Sequence, residues 1–405
     1  MHIILFDTIE RQHLLPFAFT RPVAEMRIGI LTIREKWQKA LQASDFAYIS
    51  EAYLQTKYRF VAGADNLLIN GHACPNASLL AAVKALSLGE ALLNAEGVCL
   101  AARCDAASAE AIQQALHNKQ AFDWSTFSSK SYDAEVALLS RPWQIFKWNE
   151  LELPIDYELL TAGRKSAPIS KTNQVIAAEN IFLEEGAIVE FATLNASNAK
   201  IYIARDAEVM EGSMIRGSFA LGEHSQVKMG AKIYGATTIG PHSKVGGEIN
   251  NCVIFGYSNK AHDGFMGNSV IGEWCNWGAD TNNSNLKNNY EEVKLWSYAT
   301  QRFEKTGLQF CGLMMGDHSK CGINTMFNTG TVVGVSANIF GAGFPRNIIN
   351  DFSWGGAGGT MTYQLNKAIQ TASLVYARRG LDFDATEQAI FEHIFNSTAD
   401  SRKDA

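Results

Sequence analysis

The sequence predicts an N-terminal α/β domain, a parallel β-helix of hexapeptide repeats and C-terminal helices. Three observations predict this fold class. Strand-like and helix-like runs alternate over residues 1–165, aliphatic residues recur at every sixth position from 203 to 245, and two helical patterns follow residue 357. We therefore expect domains at 1–165, 172–356 and 357–405.

The bulk composition narrows the class of protein. The chain has 405 residues and a net charge of −6 without a long basic run, which argues against a nucleic-acid-binding protein. Its seven cysteines contain no C-x-x-C pair, which favours free thiols in a reducing compartment. The start, "MHIILFD", has no basic region before its apolar run, and no apolar stretch reaches 18 residues. We expect a cytoplasmic protein without a membrane span.

The N-terminal domain alternates β and α patterns. Strand-like runs are "HIILFD", "FAYIS", "NLLING" and "GVCLAA", and helix-like runs are "IGILTIREKWQKALQ", "NASLLAAVKAL" and "SAEAIQQALHNK". Such alternation predicts a largely parallel sheet. Residues 151–175 contain Pro154, Gly163 and Pro168 and are expected to form the connection to the β-helix.

The six-residue period is the strongest pattern. Its positions are Ile203, Val209, Ile215, Leu221, Val227, Ile233, Ile239 and Val245, and it resumes at Phe265, Ile271, Trp277 and again at Met315, Cys321, Phe327, Val333, Ile339. Three hexads close one triangular coil, so equivalent residues stack about 4.8 Å apart with their aliphatic side chains inward.

Two departures from this period are predicted to matter for function. The register shifts within residues 246–264, and residues 282–310 are too many for the wall of a coil. We expect the second segment to be extruded as a loop, and insertions in repeat proteins tend to lie on the working face. The C-terminal helices, with Asp384 and Glu387 as a capping box, are expected to pack on the end of the β-helix or on a neighbouring subunit.

The chain resembles the bifunctional N-acetylglucosamine-1-phosphate uridyltransferase/glucosamine-1-phosphate acetyltransferase family, in its divergent Bacteroidetes-type branch. The resemblance rests on "TRPVAEMRIGILTIREKW" (20–37), "GYSNKAHDGFMGNSVIGEW" (256–274), "NNSNLKNNYEEVK" (282–294), "TGLQFCGLMMGDHSKCGINTMFNTGTVVGVSANIFG" (306–341) and "GFPRNIINDFSWGG" (343–356). It implies a sugar nucleotidyltransferase-like, Rossmann-like first domain and a left-handed β-helix that transfers acetyl groups.

The resemblance also implies catalytic and substrate-binding residues. "KAHDGFMGN" matches the family's K-x-G-H-x-x-Y-x-G-D pattern, which makes His262 the general base, with Phe265 in place of the Tyr and Asn268 in place of the Asp. "NNYEEVK" is similar to the N-Y-D-G-x-x-K pattern. The implied substrate-binding residues are Lys244, Lys260, Phe265, Asn289, Tyr290 and Lys294. A histidine with a pKa near neutral suits removal of a proton from an attacking amine.

The resemblance further implies partners and a cofactor. Acetyl-CoA would be the co-substrate, with Lys320 and Arg346 near its phosphates, bound between the β-helices of a homotrimer. The acceptor would be a sugar phosphate, and the combined product UDP-N-acetylglucosamine or a related nucleotide sugar. In the first domain, Arg21 and Arg27 would bind the phosphates of UTP with Mg²⁺, although the family's G-x-G-T-R loop and metal-binding Asp are replaced, the latter by Asn70-Gly71-His72.

Several alternatives stay open. One half of the chain alone could be active, or the β-helix could be a non-catalytic trimeric scaffold. His224 and His242 lie 18 residues apart and should stack at a corner, which raises a zinc site that lacks a third ligand at the expected spacing. The same corner position also fits a solvated histidine without chemistry, as it does for His318.

Overall fold

The computed structural model describes residues 1–402, which leaves the last three residues of the predicted C-terminal extension outside the described part. The N-terminal elements are β1 (His2–Phe6), α1 (Ile33–Leu41), β2 (Ala47–Ile49), β3 (Asn66–Asn70), α2 (Ala77–Lys84), β4 (Glu90–Asn94), β5 (Cys99–Cys104), α3 (Ala106–His117), β6 (Ser128–Tyr132) and α4 (Pro142–Thr161). The sheet order is β2-β1-β3-β5-β4-β6, and β5 pairs antiparallel with both neighbours. The predicted α/β domain is confirmed, but its sheet is mixed, with three of five strand pairings parallel, and the sequence prediction lacks β4 and β6.

Helix α4 covers the first part of the expected connection. It runs through Pro154 to Thr161, so residues 151–161 are helical. Proline in a helix interior removes one backbone hydrogen bond, and here the buried side chains of Leu153, Asp156 and Tyr157 hold the helix in place. Packing of these side chains therefore outweighs the helix-breaking effect of Pro154, and the expected connection begins as a helix.

The second part of the chain is a left-handed parallel β-helix with three faces. Face A contains Gln174–Ile176, Thr193–Asn195, Met214–Arg216, Lys232–Tyr234, Glu248–Asn250, Phe265–Gly267, and then Asn282–Asn283 and Met326–Phe327. Face B contains Ile181–Leu183, Ile201–Ile203, Phe219–Leu221, Thr237–Ile239, Val253–Gly256, Val270–Glu273, Met314–Met315, Val332–Val333 and Ile348–Ile349. Face C contains Ile188–Val189, Glu208–Val209, Gln226–Val227, Lys244–Val245, Asn259–Lys260, Asn276–Trp277, Lys320–Cys321, Asn338–Ile339, Ser353–Gly356 and an antiparallel end strand, Gly359–Thr362.

The predicted inward columns are confirmed up to residue 245. All eight aliphatic positions are buried, and Ile203, Leu221 and Ile239 pair in register as one column. The next coil is shorter, because Val245 pairs with Lys260 only 15 residues later. On face A the inward residue is therefore Met266, which pairs with Ile249, and the expected inward position of Phe265 is wrong by one residue.

The segment 282–310 is extruded, as predicted. Ile271 pairs with Met315, 44 residues away, and the excess chain forms an antiparallel hairpin of Lys294–Ser297 and Arg302–Lys305. Val293 and Leu295 are buried in one core with the N-terminal domain, so the hairpin fills the space between the two domains.

The N-terminal domain packs along face B of the β-helix. The outward residues of that face, such as Val253, Val270 and Met314, belong to the same core as Phe17 and Ile33 of the first domain. Three short 3₁₀ turns after β1, Ile9–Leu14, Phe17–Phe19 and Val23–Glu25, form this contact. The loop that follows the first strand is thus used to join the domains.

A buried ion pair fixes this contact. Arg21 is 4% exposed, and its guanidinium pairs with Asp317 and, at 3.3 Å, with Glu273 of the β-helix. Burial alone would lower the pKa of Arg21, but the two carboxylates raise it above its ordinary value. The hydroxyl of Thr20 also donates to Asp317, at 2.6 Å.

The C-terminal helices α5 (Leu365–Ala377) and α6 (Ala385–Ser397) lie along the corner between faces B and C. The Tyr376 ring stacks on Trp274 with centroids 4.0 Å apart. Asp384 caps α6 by accepting from the Glu387 backbone N–H, while the Glu387 carboxylate binds Lys57 of the first domain. The helices therefore hold the two domains together from the side.

Two further sequence predictions concern cysteines and membranes. All seven cysteines are buried and free, as predicted. Among residues 1–402, no helix is both long and apolar enough to span a bilayer.

We expect Arg21→Ala to destabilise the protein by about 3–5 kcal/mol, because it leaves Asp317 buried without its cation. Urea unfolding followed by circular dichroism measures this change. Arg302→Ala, which removes an exposed arginine of the hairpin, is the matched control and should change stability by less than about 0.5 kcal/mol. Equal small effects of both variants would show that the ion pair does not hold the domains together.

Candidate functional site

His262 lies at the corner between faces C and A, in the turn that joins Lys260 to Phe265. Its side chain is exposed, and within residues 1–402 its ring makes no hydrogen bond or ion pair. Both ring nitrogens are therefore open to a ligand or to a second protein chain.

Lys260 holds this turn from inside the β-helix. It is 3% exposed, and its Nζ donates to the carbonyls of Gly246 (3.0 Å), His262 (2.7 Å) and Asp263 (3.4 Å). Burial lowers the pKa of Lys260 to about 8. The amine thus satisfies the carbonyls of Gly246 and His262, whereas the Asp263 carbonyl also accepts from the Asp280 N–H, and the amine does not face a substrate.

The rest of the turn is fixed by close packing. Gly264 has a φ of +114°, and a Cβ there would lie 2.2 Å from the carbonyl oxygen of Thr281. The backbone N–H of Phe265 donates to Asn282 Oδ1 at 2.7 Å. Phe265 is half-buried and begins face A directly beside His262.

Lys244 and Lys320 lie on face C, on opposite sides of the coil that carries His262. Lys244 pairs in register with Asn259, Asn259 with Asn276, and Asn276 with Lys320. The Nζ of Lys320 donates to the His318 carbonyl at 2.8 Å, and burial lowers the pKa of Lys320 to about 8. Arg346 is exposed in the loop after face C of a later coil and does not lie in this row.

The residues of the insertion lie at a different corner. Asn289, Tyr290 and Lys294 are on the segment that leaves face A after Asn283, toward face B. Asn289 Oδ1 accepts from the Glu291 backbone N–H at 3.2 Å, while Tyr290 and Lys294 are exposed. Face A separates them from His262 of the same chain.

The predicted nucleotide-binding arginines are engaged in domain contacts. Besides the pairs of Arg21 described above, Arg27 Nε donates to the Phe255 carbonyl at 3.0 Å, and its guanidinium also contacts the Ile30 carbonyl and Glu35. Neither guanidinium points into open space at the edge of the sheet.

The carboxyl edge of the N-terminal sheet carries a buried network in place of a phosphate loop. Asp7 accepts from the Val23 N–H (2.9 Å), from Arg11 Nε (3.2 Å) and from the Ser50 hydroxyl (2.6 Å). His72 is buried against the Leu139 carbonyl, at 2.7 Å, and burial lowers its pKa. These residues do not fit Mg²⁺, because both oxygens of Asp7 already accept hydrogen bonds, Glu51 pairs with Arg11, and His72 replaces a hard oxygen ligand.

A cavity of about 720 Å³ opens at the same edge, beside α4. Its charged lining residues are Glu96, Asp133, Glu135 and Glu152, and among the residues described around it there is no Lys, Arg or His. The sequence analysis did not identify this cavity, because its walls come from three separate loop segments and α4.

The corner histidines form a stack of rings. His224 and His242 stack with centroids 5.0 Å apart, as predicted, and Tyr257 and Trp274 continue the stack. In the described part of the chain, no three His, Cys, Asp or Glu side chains converge as metal ligands, so the zinc alternative finds no third ligand.

The chain combines a left-handed β-helix with an α/β domain, and its sequence relatives are transferases. Residues 3–165 match the family model described as sugar nucleotidyl transferase, which confirms the predicted resemblance for that part. The chain is similar to the bifunctional protein GlmU of Methanocaldococcus jannaschii, at 33% identity over 87 residues, or 22% of this chain and 21% of the relative. It is also 31% identical over 153 residues to the bifunctional sugar-1-phosphate nucleotidylyltransferase/acetyltransferase of Sulfurisphaera tokodaii, 37% of each chain.

The chain thus aligns with less than two fifths of the length of these curated relatives. Among solved structures it is similar to the Arabidopsis UDP-N-acetylglucosamine acyltransferase (14% identity, 58% of this chain, 94% of that chain, TM-score 0.26). It is likewise similar to the polySia specific acetyltransferase NeuO (13% identity, 52% of this chain, 99% of that chain, TM-score 0.22).

We expect Lys260→Met to destabilise the protein by about 1–3 kcal/mol at pH 7, because the carbonyls of Gly246 and His262 lose their donor. The sign of the pH dependence follows from the lowered pKa. Between about pH 8 and the ordinary lysine value, the unfolded chain binds more protons, so wild type gains stability relative to Lys260→Met as pH rises. Chemical unfolding at pH 7, 8.5 and 10 measures both effects. A stability difference between wild type and Lys260→Met that shrinks as pH rises would contradict the lowered pKa of Lys260.

Proposed function

We propose that this chain transfers the acetyl group of acetyl-CoA to the amine of an amino-sugar 1-phosphate, with His262 as general base. The observation that carries the proposal is the exposed His262 ring, held at the corner of a β-helix by a turn that Lys260 and Gly264 fix from inside. A scaffold has no need of a buried lysine to shape an exposed turn.

The chemistry requires one proton acceptor and one set of hydrogen-bond donors. The neutral amine attacks the thioester carbonyl, His262 takes the amine proton, and the collapsing tetrahedral intermediate expels the coenzyme thiolate, to which His262 returns the proton. Backbone N–H groups of the corner would stabilise the oxyanion. The product is an N-acetylated sugar 1-phosphate.

Face C offers one lysine on each side of the coil that carries His262, and each could bind a phosphate. Lys244 lies one coil before the coil that carries His262, and Lys320 two coils after it. Coils are about 4.8 Å apart, so Lys244 suits the phosphate of a small acceptor and Lys320 suits the more distant phosphates of the coenzyme. Phe265, beside His262, would contact the sugar ring, and Asn268 is buried behind it, where its Oδ1 accepts from Asn285.

Association of several copies of this chain would contribute to the same site. The exposed corner position that His262 occupies is taken in other coils by Phe191 (63% exposed), Met229 (70%) and Ile323 (71%). These three side chains form an apolar corner row that is interrupted by Glu211, Gly247 and Ala279 in the coils between. Exposed apolar side chains at one corner favour an interface between proteins. We propose a homotrimer in which Asn289, Tyr290 and Lys294 of one copy approach His262 of another.

Nucleotidyl transfer from UTP, which would yield UDP-N-acetylglucosamine or a related nucleotide sugar, is the second candidate function. The family match over residues 3–165 favours it. The saturated Asp7 network and the engaged Arg21 and Arg27 leave phosphate and Mg²⁺ binding without an evident set of residues, so acetyl transfer comes first.

We expect His262→Ala to lower acetyl transfer about 10²–10⁴-fold, because the amine loses its proton acceptor. Release of free thiol from acetyl-CoA with glucosamine 1-phosphate measures the rate, and mass spectrometry identifies the product. His224→Ala removes another exposed corner histidine and should stay near the wild-type rate. A His262→Ala rate within about threefold of wild type would remove His262 from the mechanism.

We expect a trimer of the 44.4 kDa chain in analytical ultracentrifugation. Ile323→Glu should shift the population toward smaller species, since it places a charge in the apolar corner row. Met361→Glu, at an exposed methionine outside that row, is the matched control. A monomeric wild type at working concentration would contradict the shared site.

A further inference from the structure

Four cationic side chains meet on face C near the coil of His262. Lys228 and Lys244 belong to the β-helix, while Arg378 and Arg379 directly follow α5. We call these four residues the face C cation cluster. The sequence analysis had given the C-terminal helices only a packing role.

Hydrogen bonds and strand register bring the two parts of the cluster together. Arg379 Nη2 donates to the His242 carbonyl at 2.9 Å, two residues before Lys244. Gln226 pairs in register with Lys244, and Lys228 Nζ donates to Gln226 Oε1 at 2.8 Å. The end of α5 is thus fixed beside the two lysines.

The cluster has no carboxylate partner within residues 1–402. Two carboxylates of the neighbouring coils are engaged elsewhere, since Glu208 accepts from Gln226 Nε2 at 2.9 Å and Glu223 pairs with Arg205. Burial lowers the pKa of Lys244, and the neighbouring charges of Lys228, Arg379 and Arg378 lower it further. In a chain of net charge −6, an uncompensated positive site of this kind favours an anionic ligand.

We propose that the face C cation cluster binds the phosphate dianion of a substrate of the transfer reaction, so that the C-terminal extension completes the site. This inference rests on the proposed function for the identity of the ligand. Lys244 lies one coil from the His262 coil, on the face that leads into the His262 corner, so the cluster and the candidate base border the same face of the β-helix. Arginine and lysine side chains with free donors give phosphate charge-assisted hydrogen bonds.

Isothermal titration of the full-length protein with glucosamine 1-phosphate, glucosamine, and coenzyme A tests the proposal. We expect Arg378→Ala and Lys244→Met each to weaken a phosphate-bearing ligand about tenfold or more and to leave glucosamine unchanged. A loss of affinity for glucosamine 1-phosphate identifies the acceptor phosphate as the ligand. A loss of affinity for coenzyme A identifies a coenzyme phosphate as the ligand. Lys367→Ala, an exposed lysine at the other end of α5, is the matched control.

Unchanged affinity of both variants for both phosphate-bearing ligands would overturn the proposal. Circular dichroism of each variant confirms that it is folded. Because binding is measured without turnover, a wild type that binds glucosamine 1-phosphate through the cluster but transfers no acetyl group would refute the proposed function and leave the anion site standing.

Discussion

Stacking of one coil on the next is the constraint on which the β-helix depends. Each inward residue must pack on its equivalent in the neighbouring coil, about 4.8 Å away, so a column tolerates little change in length or polarity. Where the coil shortens between Val245 and Lys260, the column receives a lysine instead of an aliphatic residue. Its amine satisfies the carbonyls that the irregular turn exposes inside, and that same turn presents His262 outside. The irregularity and the candidate base are therefore one feature.

The second constraint is the apolar outward row of face B, which must be covered. The N-terminal domain covers it with the segment that follows β1, and this use changes what that segment can do. Thr20 and Arg21 are drawn into a buried pair with Asp317, and Arg27 is bound to the Phe255 carbonyl. These contacts engage the cations that the sequence analysis predicted to bind nucleotide phosphates.

The inward columns and the extruded segment could be predicted from the sequence. A strict six-residue period assigns each position either to the inside or to the outside of the coil. The one-residue error at Phe265 arose because the period does not continue through a coil of irregular length. There the packing of Met266 on Ile249 sets the register. The inward direction of Lys260 was hidden for the same reason. The ion pairs of Arg21 could not be predicted either, since its partners, Asp317 and Glu273, are about 250 to 300 residues away in sequence. Contacts of that kind follow from domain packing, which no local pattern reports.

The cavity of the N-terminal domain and face C of the β-helix carry opposite charges and therefore favour different ligands. The cavity at the carboxyl edge of the N-terminal sheet is lined by Glu96, Asp133 and Glu135 at its rim, and these carboxylates repel phosphates. Face C carries Lys244 and Lys320 on either side of the His262 coil, and burial lowers the pKa of both, which makes each amine costly to keep charged unless an anion binds. Under the proposed function, the positive charge on face C would favour a phosphate-bearing substrate, whereas the acidic rim of the cavity would disfavour it. This difference in charge is why we propose the β-helix as the part of the chain that binds the phosphate of the acetyl acceptor.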